Sequence, residues 1–574
     1  MQPIDGLVVA LYIIGTLAIG VYAARRTHTA SDMFAAGGRS PWWVSGLSSF
    51  MTLKSAGTFV VWGGLAYSLG VVAIAINTAI GVSGLLVGWF LAGKWRRIGV
   101  ATPAEFVAFR FGQTAVQFYT WSMLAVRICS TGVALYSVSV MFAALVPLPE
   151  GMPFRDPVSG TISVSATIVI FGAIILFYTV IGGLWAVLMT DVLQFVVLQL
   201  AVLFVLPLLA IMLHGTPVWA PVPQGYFLPV SQQYSLWFLI GWVAVHFFFV
   251  GAEWAFAQRY ISVPTDRDAK KAAYLFGALY LVSPTIWLAT PILYRLIDGN
   301  ANPEQAYILA SKLVLPAGML GLMMAAMFSA TASAVSAQIN VFAGVLSDQV
   351  YRRLIAPAAD DRQMMRAGRL FTFAIGATLT GVALLVPYAG GAQQIVLTIT
   401  ALLLPPLMAP TVWGLLSGRI GLGALLGSAA ISFAAGLTAK FAMVAGAPLG
   451  ATSLGLWVQA NPRMADILIG TLLPNLILAA CHFSARGVQP GWIETERRAA
   501  AYQPSTEGSA DHGSGRVVSV SLAGSGLLML ALLPFDDRGR TTLAIFAAAM
   551  LLLALLSHRA SRRSSITAEN RVRP

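Results

Sequence analysis

The sequence predicts an all-α integral membrane protein whose core is two consecutive sets of five helices, one inverted relative to the other. Hydrophobic residues make up 58% of the 574 residues and charged residues only 10%, against about 25% charged residues in soluble domains. Apolar runs of helix length follow one another along the chain. Lys and Arg are concentrated in every second connecting loop, the pattern that orients membrane helices.

The first apolar run, residues 7–24, follows Asp5 and precedes Arg25 and Arg26. A secretory signal peptide has its positive charge before the apolar run. Because the charges come afterwards here, we predict a retained leader helix over 5–24 with its N-terminus outside the cell.

Fourteen further apolar runs bring the predicted number of spans to about fifteen. The first set lies at 43–67, 71–93, 116–146, 162–183 and 185–213. The second set lies at 234–260, 272–297, 305–348, 366–388 and 391–416. Four more lie at 420–443, 464–484, 518–534 and 541–557. The run at 305–348 is too long for one span and is expected to begin as an external helix.

These runs divide the chain into three parts. Residues 1–485 form one membrane domain, with repeats at 43–213 and 234–416 and extra helices at 420–484. Residues 486–517 are rich in Ser, Gly, Ala and charge and are predicted to be a flexible cytoplasmic linker. Residues 518–574 supply two further spans and a basic tail. The loop charges place the C-terminus in the cytoplasm and the chain in the inner (plasma) membrane.

Composition and motifs argue against several classes of function. The net charge of +13 lies mostly in short loops, which does not favour a nucleic-acid partner. The sequence contains no nucleotide-binding loop, metal-ligand cluster or nucleophile–base pattern, so no catalytic residue and no enzyme activity are predicted. Cys129 and Cys481 both fall in apolar runs and are predicted to be structural thiols.

The first helix of each set carries a polar, glycine-bearing interruption. These interruptions lie at 53–58 and 251–254. Five is an odd number, so the second set starts from the opposite side of the membrane, and inverted halves of this kind bind their ligands at interrupted helices near the midplane. Lys54 lies deep in the first interrupted helix, where a charge costs several kcal/mol unless it meets a cavity or a partner.

Several motifs, in this order and spacing, resemble the sodium:solute symporter family, which includes carriers of sugars, proline and sialic acid. They are Ser55-Ala-Gly-Thr-Phe59, Gly63-Gly-Leu-Ala-Tyr67, Thr102-Pro-Ala-Glu-Phe106, Thr190-Asp-Val-Leu-Gln194, Gln258-Arg259, Phe328-Ser-Ala-Thr331 and Pro405-Pro-Leu407. The resemblance covers residues 5–485. It implies a leucine-transporter-like fold of five plus five helices with one extra N-terminal helix, working by sodium-coupled symport and alternating access.

In this family one sodium ion lies between the first and eighth core helices. Carried over to this sequence, its ligands are the carbonyls of Met51, Lys54 and Ala330 and the hydroxyl of Ser333. Ala334 stands where the family has a second hydroxyl. Some members hold a second sodium, for which the matching positions here are Asp191, Ser336 and Ala337.

The loss of two hydroxyls and the nearby ammonium leave two interpretations of Lys54 open, since a hard cation prefers a full shell of oxygen ligands. In one, Lys54 points to the vacated site, pairs with Asp191 or nearby carbonyls and replaces sodium in a sodium-independent or proton-coupled carrier. In the other, only its backbone matters and its side chain reaches water or the solute.

The predicted solute contacts are Gly57, Thr58, Asn77, Arg127, Glu253 and Gln393, with Gln394 as an alternative to the last. Arg127 would clamp a carboxylate on the solute or pair with Glu253 or Asp191. Glu253 itself would contact the solute or face a water-filled vestibule. His246 is expected to be a packing residue. These charges suit a small acid or zwitterion better than a neutral sugar.

The sequence therefore predicts a secondary active transporter of a small polar organic solute in the lipid bilayer, with sodium as the coupling ion. A membrane sensor built on the same fold is the alternative from another class of function. The sequence leaves any protein partner undefined.

Overall fold

A computed structural model shows an all-helical chain, apart from two isolated β-bridges, over the residues that it describes. These residues are 3–24, 39–178, 184–214, 220–358, 360–503, 514–531, 533 and 540–572. The helices through the first predicted repeat are α1 (Pro3–Ala24), α2 (Trp42–Thr52), α3 (Thr58–Leu69), α4 (Val72–Phe90), α5 (Ala92–Arg97), α6 (Pro103–Phe111), α7 (Gln113–Ala143), α8 (Val164–Tyr178) and α9 (Leu184–His214).

The second predicted repeat contains α10 (Leu236–Ala252), α11 (Trp254–Ile261), α12 (Asp266–Ile297), α13 (Ala306–Val314), α14 (Met319–Leu346), α15 (Asp361–Leu385) and α16 (Gly391–Leu416). The remaining helices are α17 (Leu422–Ala442), α18 (Ser453–Ala460), α19 (Pro462–Ser484), α20 (Pro490–Ala500), α21 (Ser514–Ala531) and α22 (Arg540–Val572).

Every predicted apolar run contains a helix, but the helices differ in length. Nine of those in the described part are long and apolar enough to cross a membrane, and the bent pair α10–α11 makes ten. The other five predicted spans correspond to apolar helices of 10–17 residues in the described part. The long run at 305–348 divides into α13 and α14, as its length predicts.

Both predicted interruptions are present. Residues 53–57 separate α2 from α3, and Glu253 separates α10 from α11 with a bend of 56°. Each interruption therefore divides the first helix of a predicted five-helix set into two shorter helices.

Glycine residues let α4 and α12 cross closely. A Cβ on Gly81 would come within 2.7 Å of the Leu281 nitrogen, and one on Gly84 within 2.9 Å of the Gly277 Cα. Small residues at such crossings allow two backbones to approach each other. This crossing places the aromatic side chains of α12 beside the first interrupted helix.

The leader helix α1 is attached to the eighth core helix, α14. The Asp5 carboxylate accepts hydrogen bonds from the Gly318 and Gly321 N–H groups at 2.7 and 3.0 Å. An acidic side chain at a helix N-terminus satisfies free N–H groups and favours the helix dipole. The leader helix thus fixes the start of the helix that is expected to bind sodium.

The prediction of a flexible linker over 486–517 is wrong for its first part. Residues 490–500 form α20, which packs against α6. Gln489 donates its N–H to the Gly418 carbonyl at 2.8 Å, and Trp492 lies against Gly418. Residues 504–513 of this segment lie outside the described residues.

Candidate functional site

Small polar side chains stabilise the interruption between α2 and α3. The Thr58 hydroxyl donates to the Leu53 carbonyl at 2.9 Å and accepts from the Ser55 N–H at 3.2 Å. The Ser55 hydroxyl accepts from the Gly57 N–H at 3.2 Å. Because these bonds replace lost helical hydrogen bonds, the interruption is an ordered segment.

The interruption is joined directly to α14. Ala56 donates its N–H to the Thr331 hydroxyl at 3.1 Å, and that hydroxyl donates to the Met327 carbonyl at 2.8 Å. Both Ala56 and Thr331 are fully buried. The first and eighth core helices therefore meet at the interruption, where the resemblance places sodium.

The expected sodium ligands lie on these two helices. The Met51 carbonyl accepts the Lys54 N–H at 2.8 Å, and a carbonyl oxygen keeps a second lone pair for another contact. Ala330 is buried and Ser333 is half-buried. The side chains of Ser333 and Thr331 point about 200° apart around the axis of α14. Of these two hydroxyls, that of Thr331 contacts the interruption. The sodium ligands carried over from the family stay a prediction.

The second expected sodium position is only partly described. Asp191 belongs to α9, but its side chain, like that of Ala337, lies outside the described residues. The Ser336 hydroxyl donates to the Ser333 carbonyl one turn earlier at 3.1 Å. A nearby side-chain pair joins the same two helices, because Gln194 donates to the Ser329 hydroxyl at 3.0 Å.

The Lys54 side chain points to α12. Its Nζ lies 3.7 Å from the ring centroid of Trp287 and 4.8 Å from those of Phe50 and Tyr280. Lys54 is only 4% exposed, and its Nζ has no hydrogen-bond partner in the described part of the chain. The structure therefore shows the Lys54 amino group enclosed by aromatic rings, with neither the carbonyl pairing nor the water-exposed head group that the sequence left open. The pairing with Asp191 stays a prediction, because the Asp191 side chain lies outside the described residues.

Near this interruption, the indole N–H groups of Trp287 and Trp242 are buried and have no acceptor among the described residues. The Trp287 ring contacts Phe59 at 5.7 Å, and the Trp242 ring contacts Trp62 at 6.2 Å between centroids. Phe59 and Trp62 lie one turn apart on α3. Buried polar groups are normally paired, so such a group indicates a ligand or water position.

The other predicted solute contacts lie around the same helix. A Cβ on Gly57 would be 3.6 Å from the Ser137 hydroxyl, so Gly57 faces α7. Asn77 is buried; its Nδ2 donates to a carbonyl one turn earlier at 3.0 Å, and its Oδ1 has no partner in the described part. Gln393 is half-buried, and the adjacent Gln394 accepts a hydrogen bond from an α19 arginine at 2.5 Å.

Arg127 and Glu253 form an ion pair between α7 and the second interruption. The Glu253 side chain is 4% exposed and that of Arg127 is 18% exposed. The other Glu253 oxygen accepts the Ala255 N–H at 2.9 Å and so caps α11. Of the partners that the sequence left open for Arg127, the structure selects Glu253.

His246 packs among aromatic residues, as the sequence predicts. Its Nδ1 lies 3.2 Å from the Trp242 carbonyl. Its ring centroid lies 4.7 Å from that of Trp242 and 6.0 Å from that of Phe249. The second interrupted helix is therefore rigidified by ring contacts just before its bend.

The interrupted helices α2 and α11 are joined at one end of the bundle. Ser40 donates its N–H to the Ser262 carbonyl at 2.9 Å, and the Ser45 and Ser262 hydroxyls lie 3.2 Å apart. Arg259 donates to the Ser48 hydroxyl at 3.0 Å. These contacts close the gap between the two helices at the end that the loop charges assign to the cytoplasm.

Glu304 joins three elements at the opposite end. It precedes α13, and its carboxylate accepts the Tyr136 hydroxyl of α7 at 2.6 Å and the Ala392 N–H of α16 at 3.0 Å. The site between the interrupted helices is thus bridged by contacts at both ends.

Sequence reasoning missed four of these residues. Thr331 ends the motif Phe328-Ser-Ala-Thr331, so its hydroxyl could have been recognised as a candidate contact from the sequence. Tyr280 and Trp287 are two helical turns apart, an aromatic stripe that would have indicated a shared face. Glu304 follows a proline in a loop and gave no comparable signal.

Comparisons with known proteins agree with this arrangement. Residues 33–219 and 271–430 match the profile of the sodium:solute symporter family. The sodium/sialic acid symporter NanT of Aliivibrio fischeri is 27% identical over 64% of this chain and 73% of its own length. The sodium/glucose cotransporter of Vibrio parahaemolyticus is 25% identical over 72% of this chain and 80% of its own length.

The fold is also similar to a solved structure. A substrate-bound, outward-open Na⁺-coupled sialic acid symporter superposes with a TM-score of 0.59 at 21% identity, covering 83% of this chain and 98% of the other. The two interrupted helices, the contact between the first interruption and α14, and the matched profile together assign this chain to the sodium:solute symporter family.

Proposed function

We propose that this chain carries a small polar organic solute across the membrane together with sodium, by alternating access. The contact between Ala56 and Thr331 is the observation that carries this proposal, because it sets the first interruption against α14. Family membership supplies sodium as the coupling ion. Sodium is cargo here, and binding it beside the solute links the two affinities reciprocally.

The proposed sodium position lies at the interruption. Its ligands would be the carbonyls of Met51, Lys54 and Ala330 with the hydroxyl of Ser333 or Thr331. Oxygen ligands of this kind suit a hard monovalent cation. Asp191 and Ser336 remain the proposed ligands of a second sodium.

The proposed topology follows the charge pattern of the loops. In this topology the chain crosses the inner (plasma) membrane fifteen times and contains two inverted sets of five spans. The N-terminus lies outside the cell, and the arginine-rich C-terminus lies in the cytoplasm. Cytoplasmic protection of a C-terminal tag in intact cells, and external access to an N-terminal one, would test this topology.

The proposed solute belongs to the class of small hydroxylated compounds. Named relatives carry sialic acid, glucose and myo-inositol. Gly57, Thr58, Asn77 and Gln393 would line the solute position, with Glu253 and its partner Arg127 closing one side.

A transport assay tests the proposed function. Purified protein in proteoliposomes should accumulate N-acetylneuraminate, glucose or myo-inositol under an inward sodium gradient and not under an equal potassium gradient. Accumulation that is indifferent to sodium, or driven by a proton gradient alone, would contradict it. Solute binding without any flux would favour a sensor instead.

Replacing Thr331 by valine should raise the sodium concentration for half-maximal uptake at least about fivefold, because the Ala56 N–H is left without its acceptor at a cost of about 1 kcal/mol or more. Ser333→Ala tests the hydroxyl that the family pattern assigns to the sodium ion. Ser432→Ala is the control, because this α17 hydroxyl is buried and has no partner in the described part. An unchanged sodium dependence in both Thr331→Val and Ser333→Ala would remove the proposed sodium position.

A further inference from the structure

When Lys54 is protonated, the described part of the protein supplies no anion to neutralise its charge. It is 4% exposed, and its Nζ has neither a hydrogen-bond partner nor an ion-pair partner there. Other buried charges do have partners: Glu253 pairs with Arg127, and Asp466 pairs with Lys440 at 2.7 Å.

The aromatic rings around Lys54 compensate for only part of its burial. A cation over an aromatic face is stabilised only modestly, whereas the effective penalty for burying an ion is larger. The rings of Phe50, Tyr280 and Trp287 therefore fix the position of the amino group, and its protonated form is favoured when an anion balances the charge.

Unpaired donors lie around the first interrupted helix. Lys54 Nζ lies over the ring of Trp287, whose indole N–H is also unpaired in the described part, and the unpaired indole of Trp242 contacts Trp62 of α3. The Ser283 hydroxyl on α12 is unpaired there too and can donate or accept. An ammonium and indole N–H groups donate hydrogen bonds and accept none. Their natural complement is a group that only accepts, such as an ionised carboxylate.

Arg127 is less suited to balance a solute carboxylate, because Glu253 already neutralises its charge. The Glu253 carboxylate is buried and would be left unpaired if Arg127 turned to a ligand. The sequence suggested that Arg127 of α7 binds a carboxylate on the solute. Lys54 at the first interruption is thus better placed for this role.

We propose that Lys54 is the counter-charge for a carboxylate on the transported solute, so that the site selects small organic acids over their neutral analogues. This inference rests on the proposed function. It also explains coupling: sodium at the Lys54 carbonyl and the Lys54 ammonium repel each other, and a bound carboxylate offsets both charges. Sodium and an anionic solute should therefore each raise the affinity of the other.

The first test needs no knowledge of the solute. Lys54→Met removes an unbalanced buried charge at similar volume, so the ligand-free protein should melt about 2 °C or more above the wild type. Arg127→Met is the matched control and should melt lower, because it leaves Glu253 without its partner. A lower melting temperature for Lys54→Met would overturn the proposal, since it would reveal a partner within the protein; Asp191→Asn would then produce a similar loss.

The second test uses pairs of probes that differ in one charge. The pairs are N-acetylneuraminate with its methyl ester, glucuronate with glucose, and lactate with lactamide, each measured in sodium by thermal stabilisation. At least one acid should stabilise the wild type more than its neutral analogue does, Lys54→Met should abolish this difference, and Lys54→Arg should keep part of it. Equal effects of acid and analogue, or no effect of any acid, would overturn the proposal.

Uptake separates this inference from the proposed function. Sodium-driven accumulation of a neutral analogue as efficiently as its acid would refute the role of Lys54 and leave symport intact. Absence of sodium-driven uptake of every probe, with acid-selective stabilisation retained, would refute symport and leave the role of Lys54 as a binding residue.

Discussion

At the scale of single residues, the ion pair between Arg127 and Glu253 organises the second interruption. Glu253 caps α11 through the Ala255 N–H and binds Arg127 through its other oxygen. Its carboxylate is buried, whereas Arg127 is partly exposed and its long side chain can reach water. Glu253 therefore depends on Arg127 more than Arg127 depends on Glu253.

This inequality predicts different costs for the two single substitutions. Arg127→Met should lower the free energy of unfolding by about 3 kcal/mol or more, because it leaves a buried carboxylate unpaired. Glu253→Gln should cost less, since a glutamine oxygen can still accept the Ala255 N–H.

The double variant Arg127→Met with Glu253→Gln should recover most of the stability lost in Arg127→Met. Chemical unfolding of all four proteins in detergent measures the coupling as a double-mutant cycle. Strictly additive effects would show that the ion pair contributes nothing.

The sequence identified these residues as candidates, but it did not identify all the side chains that they contact. Lys54, Arg127 and Glu253 stood out because charges are rare within apolar runs. Their partners depend on which helix faces which. Tyr280 and Trp287 lie more than 200 residues after Lys54 in the chain, and no local pattern relates them to it.

At the scale of elements, α20 is a helix that crosses the end of the bundle assigned to the cytoplasm. Arg498 bridges Glu494 of the same helix and Glu105 of α6, at 2.8 and 2.9 Å. Trp492 lies over the Arg110 guanidinium at 5.7 Å. Beyond the helix, the Tyr502 hydroxyl accepts the Asp266 N–H of α12 at 3.1 Å.

The ion pairs within α20 depend on ionised Glu494. Hydrogen bonds from Arg497 and Arg498 lower the pKa of this carboxyl group. A lowered pKa means that the stabilisation is present at neutral pH and is lost as the pH falls through the lowered value. The docking of α20 should accordingly be measured near pH 7.

Trp492→Ala should release α20 and accelerate tryptic cleavage after Arg497 or Arg498 by about tenfold, because removing a half-buried tryptophan costs more than 1.4 kcal/mol. Ile493→Ala is the control, since Ile493 lies on the same helix but is 62% exposed. Equal cleavage rates for Trp492→Ala and the wild type would show that α20 does not dock through this residue.

The apolar runs predicted the long helices because bilayer-length segments differ sharply in composition from loops. The same reasoning failed for α20, because the Ser, Gly and charge content of the whole segment 486–517 resembles that of a linker. Its residues Glu494 to Ala501 are nonetheless mostly good helix formers, and Trp492 supplies an anchor. The interruptions were predictable because polar residues beside glycine, in the middle of an otherwise apolar span, are what an interrupted helix needs.

At the scale of the whole molecule, contacts bridge the site at both ends. Ser40, Ser45 and Arg259 join α2 to the α11 region, and Glu304 joins α7 to α16. Alternating access requires each set to break in turn. The Glu304 contacts are charge-assisted hydrogen bonds, so they contribute substantially to closure at their end.

Glu304→Ala should therefore favour opening at that end. A cysteine introduced as Ser137→Cys, in a protein whose Cys129 and Cys481 are replaced by alanine, should react with an external membrane-impermeant thiol reagent about tenfold faster in the Glu304→Ala background. Ser137 suits this purpose because it is buried and faces Gly57. Slower or unchanged labelling would contradict a closing role for Glu304.

We infer that the interruption between α2 and α3 binds sodium and solute together. Entry of radioactive sodium into proteoliposomes, measured with and without a transported solute, tests it most directly. We expect solute to stimulate sodium entry in the wild type, and Thr331→Val to weaken this stimulation at low sodium. Solute entry that brings in no sodium would contradict the claim.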